Sequence, residues 1–590
     1  MCGIVGYIGK NAILNNFENL KKLEYRGYDS AGIAYIKNKK IKCIKSKGFI
    51  KNAETKALKL GDESMVSIAH TRWATTGKVS TKNAHPHLSN SKRFAVVHNG
   101  IIENYTFLKT IISKDYIFKS ETDTEIICAL LDHFSKQENS TINIIKLVIK
   151  NLKGSFSIAI LDETNPNNIY VVKKDMPIFV CTNDEFSAIA SSVSGLPEKT
   201  NSYIMLENHD IAILSKNSIN IYNNDKLVKR PIFFTTESNN SVNKSHTKHY
   251  MLKEILEIPE KLEKTYLNFE HDTNQYKQMI NNLFIGKSRI HLVACGTAYH
   301  SCLIGAKLFS ICGYDSTAHI ASEFKYNPPI LSKNSLYIFV SQSGETADTL
   351  GALKIVQDLG LDALSITNVP SSTMAHISNN HILTVADSEI AVASTKAYVC
   401  QCLVFYLIAK HLNDKLTKFN VTELQIDKII NNLRTFEKIG KYVSSFKKVF
   451  FIGRNFDYIT SMEGALKLKE ISYIMAESYP AGELKHGSLA LIDGECLSIL
   501  VSTDSNMIYK LQNTISEIKS RNGKVLVISP FDEYQSQCVD YFIKIPETNH
   551  TLLYPLLSVV PLQLISYFAS ISLKLNPDKP RNLAKSVTVE

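Results

Sequence analysis

A change of residue pattern near residue 240 most strongly constrains what this chain can fold into. Before it, short strand-like runs have alternating side chains, for example at 33–36, 94–97 and 157–161. This alternation is typical of stacked antiparallel sheets. After it, apolar runs end in small polar residues and lead into helical patterns, which predicts parallel α/β sheets. A chain of 590 residues is also too long for one core.

The strand-to-helix pattern appears twice in the second half. Apolar runs at 289–294 and 448–452 each lead into a helix, about 160 residues apart, which indicates duplicated doubly wound units. A polar stretch without periodicity precedes them and predicts a linker. The predicted boundaries are 1–235 for the first domain, 236–248 for the linker, 249–430 and 431–575 for the duplicated units, and 576–590 for a C-terminal tail.

The N-terminus carries a candidate nucleophile. We expect Met1 to be removed, because a small side chain follows it, so that Cys2 holds a thiol and a free α-amine. An α-amine titrates near pH 8 and can serve as general base for its own thiol. Taken alone, Cys2 is better interpreted as a small apolar residue in an edge strand. Motifs further along the chain change that interpretation.

Five motifs follow Cys2 in order, at 23–32, 70–77, 83–87, 98–104 and 120–125. Together they resemble the glutaminase domain of the N-terminal-nucleophile (class II) glutamine amidotransferases. Over the whole chain the sequence is similar to the glutamine–fructose-6-phosphate aminotransferase (isomerizing) family. The resemblance implies an α+β N-terminal-nucleophile (Ntn hydrolase) sandwich of αββα type, followed by two α/β doubly wound parallel-sheet sugar isomerase (SIS) subdomains.

The resemblance assigns a glutamine site to the first half. Attack by the Cys2 thiolate on a side-chain amide forms an oxyanion, and Asn99 and Gly100 match the family's oxyanion hole. Arg72 and Asp123 match the groups that bind the α-carboxylate and the α-ammonium of glutamine.

Trp73 lies on the segment that in the family closes over glutamine and gates ammonia. This chain departs from the family at two positions. Thr76 stands where histidine is common, and a hydroxyl cannot take over an imidazole's titration. Ser488 stands where proline is common, which changes local rigidity.

The second half resembles the family's sugar-phosphate site. Residues 341–346 (SQSGET) lie where a strand turns into a helix, and the helix amides and the hydroxyls favour an anion there. No Walker lysine is present, so the motif predicts a site for a phosphate monoester. The resemblance assigns sugar binding to Cys295, Gly296, Thr297, Ser341, Gln342, Ser343, Thr346, Val392, Ala393, Ser394 and Lys467.

Three catalytic roles in the second half also come from the resemblance. Glu463, Lys467 and Glu470 share one helix face, which without the family would be interpreted as a salt-bridged surface stripe. In the family, the base at the position of Glu470 moves a proton between C1 and C2 of the sugar. His486 matches the acid–base group that opens the ring, and Lys585 matches the lysine that forms a Schiff base.

The implied reaction converts L-glutamine and D-fructose 6-phosphate into glutamate and glucosamine 6-phosphate, the first step of hexosamine synthesis, with ammonia passing internally. The resemblance implies no metal, no organic cofactor and a homodimer in which a histidine crosses between subunits. One alternative is a deglycase or isomerase that retains a glutaminase domain, against which Glu470 and Lys585 argue. Another is a sugar-phosphate sensor, which would not need Cys2.

Composition excludes several other classes. The net charge of +11 is scattered, so we expect no nucleic-acid partner. The eleven cysteines lack C-x-x-C spacing and no signal peptide is visible, which predicts a cytoplasmic protein with reduced thiols. The uncharged stretch 551–573 has the length of a membrane span, but its prolines and serines favour a buried helix.

Overall fold

The computed structural model describes residues 2–59, 61, 63–234, 247–271, 273–413, 416, 419–535 and 539–587. The described chain forms two compact units, one within Met1–Ser241 and Ser586–Glu590 and the other within Val242–Lys585. Most of the predicted linker, 236–246, lies outside the described residues, and so do residues 588–590 of the predicted tail.

The first unit contains two antiparallel sheets with helices on their outer faces. Its strands are β1 (Gly3–Ile8), β2 (Ser30–Lys37), β3 (Lys40–Lys47), β4 (Val66–Arg72), β5 (His87–Leu88), β6 (Phe94–Ile102), β7 (Gly154–Asp162), β8 (Ile169–Lys174), β9 (Phe179–Thr182), β10 (Ser187–Ala190), β11 (Ser202–Met205), β12 (Ile211–Ser215), β13 (Ser218–Asn223), β14 (Lys226–Val228) and β15 (Ile232–Phe234). Its helices are α1 (Ala12–Lys21), α2 (Ile50–Leu58), α3 (Tyr105–Ile112), α4 (Glu125–Phe134) and α5 (Thr141–Asn151). The sheet orders are β15-β11-β9-β10-β1-β4-β2-β3 and β14-β13-β12-β8-β7-β6-β5.

Alternation along these strands separates two buried sets of side chains. In β1, Ile4 belongs to the core between the sheets, whereas Val5 packs with Phe17 of α1 on the outer face. In β6, Val97 joins the core between the sheets and Val96 packs towards α4 and α5. Each sheet is therefore covered on both faces, and the predicted αββα sandwich is confirmed.

The second unit contains two five-stranded parallel sheets of one topology. Their strands are β16 (Arg289–Ala294), β17 (Asp315–Ile320), β18 (Ser335–Ser341), β19 (Ala363–Thr367), β20 (His381–Leu383), β21 (Lys448–Gly453), β22 (Met475–Pro480), β23 (Cys496–Val501), β24 (Lys524–Ser529) and β25 (Tyr541–Lys544). The strand orders are β17-β16-β18-β19-β20 and β22-β21-β23-β24-β25. Counted along the chain, both sheets therefore have the same order, with the second strand at one edge and the first strand beside it. The predicted duplication of doubly wound units is therefore confirmed.

Helices surround these sheets and connect their strands. They are α6 (Tyr250–Leu256), α7 (Ile258–His271), α8 (Thr273–Phe284), α9 (Gly296–Ile311), α10 (Ala321–Phe324), α11 (Ala347–Asp358), α12 (Thr373–Ile377), α13 (Lys396–Leu412), α14 (Ile426–Ile430), α15 (Leu433–Val443), α16 (Phe456–Ser472), α17 (Ile508–Lys519) and α18 (Tyr554–Ser572). In each sheet, the first and third strands along the chain lead into helices: β16 into α9 and β18 into α11, β21 into α16 and β23 into α17. Each sheet therefore has two helix N-termini at the carboxyl ends of its strands.

The long apolar stretch near the C-terminus forms the helical segment Thr551–Ser572, which includes α18. Among the described residues it alone has the length and hydropathy of a membrane span, with a mean hydropathy of 1.6. Leu557, Val560 and Leu564 are nonetheless fully buried in the core of the second unit. The helix therefore packs inside the protein, as the sequence predicts.

Candidate active sites

Strand ends and one loop of the first unit meet at a single cavity. Cys2 precedes β1, Arg72 ends the neighbouring strand β4, and Asn99 lies in β6 of the other sheet. Asp123 comes from the turn before α4. The cavity is lined by Cys2, Arg72, Trp73, Thr75, His85, His98, Asn99, Gly100, Thr122, Asp123, Thr124 and Met176. All six residues predicted for the glutamine site therefore lie around one space.

The Cys2 thiol is held close to Trp73. The Trp73 N–H donates to Sγ at 3.3 Å, and Sγ lies 3.5 Å from the Trp73 carbonyl oxygen. Burial raises the pKa of the Cys2 thiol, whereas the Trp73 N–H and the Arg72 guanidinium act to lower it. The side-chain amide of Asn99 donates to the Cys2 carbonyl oxygen at 3.2 Å, which brings that amide next to the thiol-bearing residue.

Gly100 occupies a position that only glycine can fill. Its φ is +120°, and a Cβ there would lie 2.0 Å from the Ser155 carbonyl oxygen across the β6–β7 pair. Gly100 lines the cavity next to Asn99, so its backbone N–H is a candidate second donor. Two donors, one amide side chain and one backbone N–H, therefore stand together near Cys2.

Arg72 and Asp123 supply opposite charges to the cavity. Arg72 is 3% exposed, and its Nη1 has no hydrogen-bond partner among the described residues, while Nη2 donates to the Thr76 carbonyl oxygen. Asp123 is also buried and accepts from the Ile102 N–H at 2.9 Å. A buried guanidinium nitrogen without a partner suits a ligand carboxylate.

The segment after Arg72 is held by its backbone. The Ala74 N–H donates to Asp29 at 2.9 Å, and the Trp73 ring meets Tyr28 edge-on, with centroids 5.7 Å apart. Thr76 contributes its carbonyl oxygen to Arg72, a contact that does not depend on the side chain. Replacement of the family's histidine at this position therefore leaves that contact in place.

A buried ionic cluster joins α9 and α16 in the second unit. The Lys467 ammonium donates to Glu470 at 2.9 Å and to the Thr297 hydroxyl at 3.0 Å, and Thr297 in turn donates to Glu463 at 3.1 Å. His300 Nδ1 lies 2.7 Å from the other oxygen of Glu463. Burial acts to lower the pKa of Lys467, but Glu463 and Glu470 outweigh it, so the pKa is raised and the ammonium stays charged.

The alternative interpretation of this helix face as a surface stripe is therefore wrong, because Lys467 and Glu463 are buried. Glu470 keeps one fifth of its side chain exposed and so remains accessible from solvent.

The predicted phosphate motif forms a turn between β18 and α11. The Ser341 and Thr346 hydroxyls lie 2.9 Å apart, and the Gly344 N–H donates to Ser341 Oγ at 3.0 Å. The Glu345 N–H donates to Ser343 Oγ at 3.2 Å. Cys295, Gly296 and Thr297 begin α9 after β16, which pairs with β18, so both segments lie at the same carboxyl edge of the sheet.

The C-terminal tail returns to the first of the two parallel sheets. Lys585 Nζ lies 2.5 Å from Glu389, and Ser394 donates to the same carboxylate oxygen at 2.7 Å. The Val392 N–H donates to the Asp578 carbonyl oxygen at 3.1 Å. The predicted lysine is therefore tied to the predicted loop 392–394, with Glu389 as the link.

Two carboxylates beside Lys585 respond to its charge. Burial alone would raise the pKa of Glu389, but the Lys585 ammonium and several hydrogen bonds hold it well below its usual range. Burial, with the neighbouring Glu389 charge, raises the pKa of Glu254 to about 8. Of the two carboxylates, Glu389 therefore carries the negative charge that pairs with Lys585.

One predicted catalytic residue stands apart from these clusters. His486 ends the short 3-10 helix Glu483–His486 and is exposed, and its side chain makes no hydrogen bond or ion pair within the described chain. Ser488 begins the next short turn, Ser488–Leu491. His300 and Glu389 were not singled out from the sequence. Helical spacing could have suggested His300, three residues after Thr297, whereas Glu389 carried no signal of its own.

Comparisons with known proteins agree with both halves. The profile of the glutamine amidotransferase domain matches residues 70–198, and that of the SIS domain matches residues 283–411 and 442–573. Glutamine–fructose-6-phosphate aminotransferase [isomerizing] of Staphylococcus epidermidis is 40% identical over 606 residues, and that of Listeria monocytogenes is 39% identical over 611 residues. Each alignment covers 100% of both chains.

Solved structures match the α/β part. The C-terminal domain of glucosamine-fructose-6-phosphate aminotransferase from Francisella tularensis is 32% identical, with a TM-score of 0.50, and covers 57% of this chain and all of that one. Tagatose-6-phosphate ketose/aldose isomerase from Escherichia coli shares the fold at a TM-score of 0.51 and 17% identity, covering 57% of this chain and 96% of that one. On its full-length relatives, the chain belongs to the glutamine–fructose-6-phosphate aminotransferase (isomerizing) family.

Proposed function

We propose that this protein converts L-glutamine and D-fructose 6-phosphate into L-glutamate and glucosamine 6-phosphate. The observation that carries the proposal is the single cavity that holds the Cys2 thiol, the paired Asn99 and Gly100 donors, and the opposite charges of Arg72 and Asp123. A free amino acid with a side-chain amide requires these groups together. Full-length relatives with this named activity support the sugar half of the reaction.

In the glutaminase step, the α-amine of Cys2 takes the thiol proton, and the thiolate attacks Cδ of glutamine. The α-amine then passes that proton to the amide nitrogen. Asn99 and Gly100 stabilise the oxyanion, after which the C–N bond breaks and ammonia leaves. Water then hydrolyses the thioester and releases glutamate with the free thiol. Arg72 holds the α-carboxylate and Asp123 the α-ammonium, so the two charges orient the substrate towards sulfur.

In the sugar step, the turn 341–346 holds the phosphate through its hydroxyls and backbone amides. The rest of the sugar is enclosed by Cys295, Gly296, Thr297, Gln342 and the loop 392–394. His486 acts as the acid–base group that opens the sugar ring.

Lys585 forms an imine at C2 of the open chain with loss of water. Ammonia replaces the lysine at that carbon and frees its amine. Glu470 then takes a proton from C1 and returns it to C2, while the O1 hydroxyl proton passes to the nitrogen, which gives the 2-amino aldose. Lys467 faces this region as a cation and balances negative charge on the sugar oxygen.

Two further features belong to the same proposal. We expect a homodimer. His486 is exposed on its own subunit, and in the family a histidine from one subunit reaches the sugar site of the other. We also expect a cytoplasmic location, since the ten cysteines among the described residues are all free thiols.

The test is an assay of purified protein that measures glutamate and amino sugar separately. With both substrates, we expect the two products in nearly equal amounts, because the ammonia released by one half is consumed by the other. Omission of fructose 6-phosphate should leave some glutamate and no amino sugar. Glutamate without amino sugar under all conditions would favour a retained glutaminase on an isomerase, and neither product would favour a sensor.

A further inference from the structure

A row of buried histidines borders the Cys2 cavity, which two of its members line, and has no role in the reaction as proposed. It consists of His70, His85, His87 and His98, each at most 4% exposed. Burial holds the pKa of each ring below its ordinary value, to about 3 for His70, so the row is uncharged near neutral pH. One end of the row touches Asn99.

The orientation of the Asn99 amide follows from its two neighbours. One amide atom lies 3.2 Å from the Cys2 carbonyl oxygen, which can only accept, so this atom is the Nδ2 donor. The other atom is therefore Oδ1, and it lies 3.2 Å from His70 Nε2. An acceptor at that distance requires a proton on Nε2. His70 thus determines which way the amide points.

A second contact fixes the same tautomer. His70 Nε2 also lies 3.1 Å from the backbone carbonyl oxygen of His98, another group that only accepts. Two acceptors facing one ring nitrogen leave no alternative to Nε2–H in a neutral ring. If the Asn99 amide were turned over, its NH₂ would face this N–H and lose the hydrogen bond.

His85 packs against the His70 ring, and Thr124 links it to His98. His85 Nδ1 lies 3.1 Å from Nδ1 and 3.0 Å from Nε2 of His70, with ring planes at 74°, so it meets the ring face. Its Nε2 then remains as acceptor for the Thr124 hydroxyl at 2.9 Å. Thr124 in turn accepts from His98 Nδ1 at 2.9 Å, which completes a chain with one consistent set of donors.

We propose that His70 is a positioning residue for glutamine hydrolysis, which holds the Asn99 amide with its N–H groups turned towards the oxyanion. The inference rests on the oxyanion role that the proposed function gives to Asn99. His70 itself does not touch the substrate, since its ring lies behind Asn99 and is fully buried. Its effect is on the geometry of one donor, at the stage where negative charge develops.

The experiment compares His70→Leu and His70→Gln in the full-length protein, with glutaminase kcat and KM as readouts. Removal of one oxyanion donor costs about 100- to 1000-fold in kcat, and loss of its orientation should cost less, about 10- to 100-fold. We expect that loss in His70→Leu with an unchanged KM for glutamine. The glutamine side-chain amide reaches the position of Nε2–H, so His70→Gln should recover most of kcat.

Two measurements separate positioning from a general structural role. Alkylation of Cys2 by iodoacetamide uses the same thiol but forms no oxyanion, so its rate should match the wild type in His70→Leu. The matched control is His87→Leu, an equally buried histidine that bonds Thr122 and does not reach Asn99. We expect its kcat to stay within about twofold, because the oxyanion donors are untouched.

A double-mutant cycle with Asn99→Ala decides the question. If His70 acts through Asn99, His70→Leu should have no further effect on kcat in the Asn99→Ala background. The same fold loss in both backgrounds, or a normal kcat in His70→Leu alone, would overturn the inference and leave the proposed function standing. A normal kcat in Asn99→Ala would instead overturn the oxyanion assignment. If His70→Leu does not fold, His70→Asn replaces it, because its shorter amide cannot reach the Nε2 position.

Discussion

At the residue scale, the chemistry of the first unit depends on one thiol among several. Cys2 lines the cavity, whereas Cys43 on β3 is half-buried away from it, and desolvation raises its pKa to about 11. We expect Cys2→Ala to abolish glutamine hydrolysis and leave sugar-phosphate isomerisation intact. Cys43→Ala is the matched control and should hydrolyse glutamine normally.

Mass spectrometry of the wild type should also show that Met1 has been removed, since the proposed mechanism requires the free α-amine of Cys2 as general base. Glutamine hydrolysis that survives in Cys2→Ala would contradict the assignment of the nucleophile.

A second residue-scale prediction concerns a buried carboxylate in the second unit. Burial raises the pKa of Asp457 to about 6, although Thr503 donates to it from its N–H at 2.8 Å and its hydroxyl at 2.6 Å. In the unfolded chain the pKa is about 3.9, so the folded state binds this proton more tightly. The protonated group therefore stabilises the fold at low pH, and this contribution is lost as pH rises from about 4 to 6.

Asp457→Asn removes this titration while keeping the shape of the group. Relative to the variant, the wild type should lose roughly 2–3 kcal/mol of unfolding free energy between pH 4 and pH 7, and no more above that. Denaturant unfolding at several pH values measures the difference. The neighbouring Asp504→Asn is the control. Parallel pH dependence of wild type and Asp457→Asn would mean that Asp457 titrates as it does in the unfolded chain.

How far the sequence predicts a site depends on whether its residues lie in contiguous motifs. Asn99 and Gly100 stand together in a motif, so the resemblance alone could assign them roles. His300 joins the site through its contact with Glu463, which lies 163 positions further along the chain. No local pattern reports such a pairing, because it arises when α9 packs against α16.

At the element scale, strand-to-helix turns decide where ligands can bind. Ser343→Ala combined with Thr346→Ala should raise KM for fructose 6-phosphate strongly, since each charge-assisted hydrogen bond contributes about 1.5–3 kcal/mol. Glutamine hydrolysis without sugar should change little. Ser505→Ala, in the turn after the corresponding strand β23, is the matched control and should leave that KM unchanged. An unchanged KM in the double variant would place the phosphate elsewhere.

The elements themselves were predictable in kind but not in arrangement. Alternation indicated the strands of the first unit, yet both sets of alternating side chains are buried, so alternation alone could not say which set faces the other sheet. The two parallel sheets were predicted from their repeated pattern. Their shared strand order depends on which strand pairs with β16 and β21, and pairing between distant strands leaves no trace in local sequence.

At the scale of the whole molecule, two compact units of different architecture must act on one reaction. The first supplies ammonia, and the second must supply an electrophilic carbon that accepts it. Each half separately is consistent with a simpler activity. Only the resemblance to one family over the full length predicted that the two halves act together. The residue that tests the combination is Lys585, near the end of the chain and held by Glu389 in the second unit.

Lys585→Arg should separate the two halves of the reaction. Only a primary amine forms an imine with C2 of fructose 6-phosphate, and a guanidinium stays protonated and is a poor nucleophile. Arginine keeps the charge that pairs with Glu389, so the variant should fold, bind sugar and hydrolyse glutamine, yet make little amino sugar.

Borohydride with fructose 6-phosphate should label the wild-type terminal peptide and leave that of the variant unlabelled. Lys574→Arg, exposed just after α18, is the control and should behave as wild type. A label on Lys467 instead, or amino-sugar synthesis that survives in Lys585→Arg, would mean that the imine forms on another lysine. In that case Lys585 would only hold the tail against Glu389, and the coupling of the two units would have to rest on a different group.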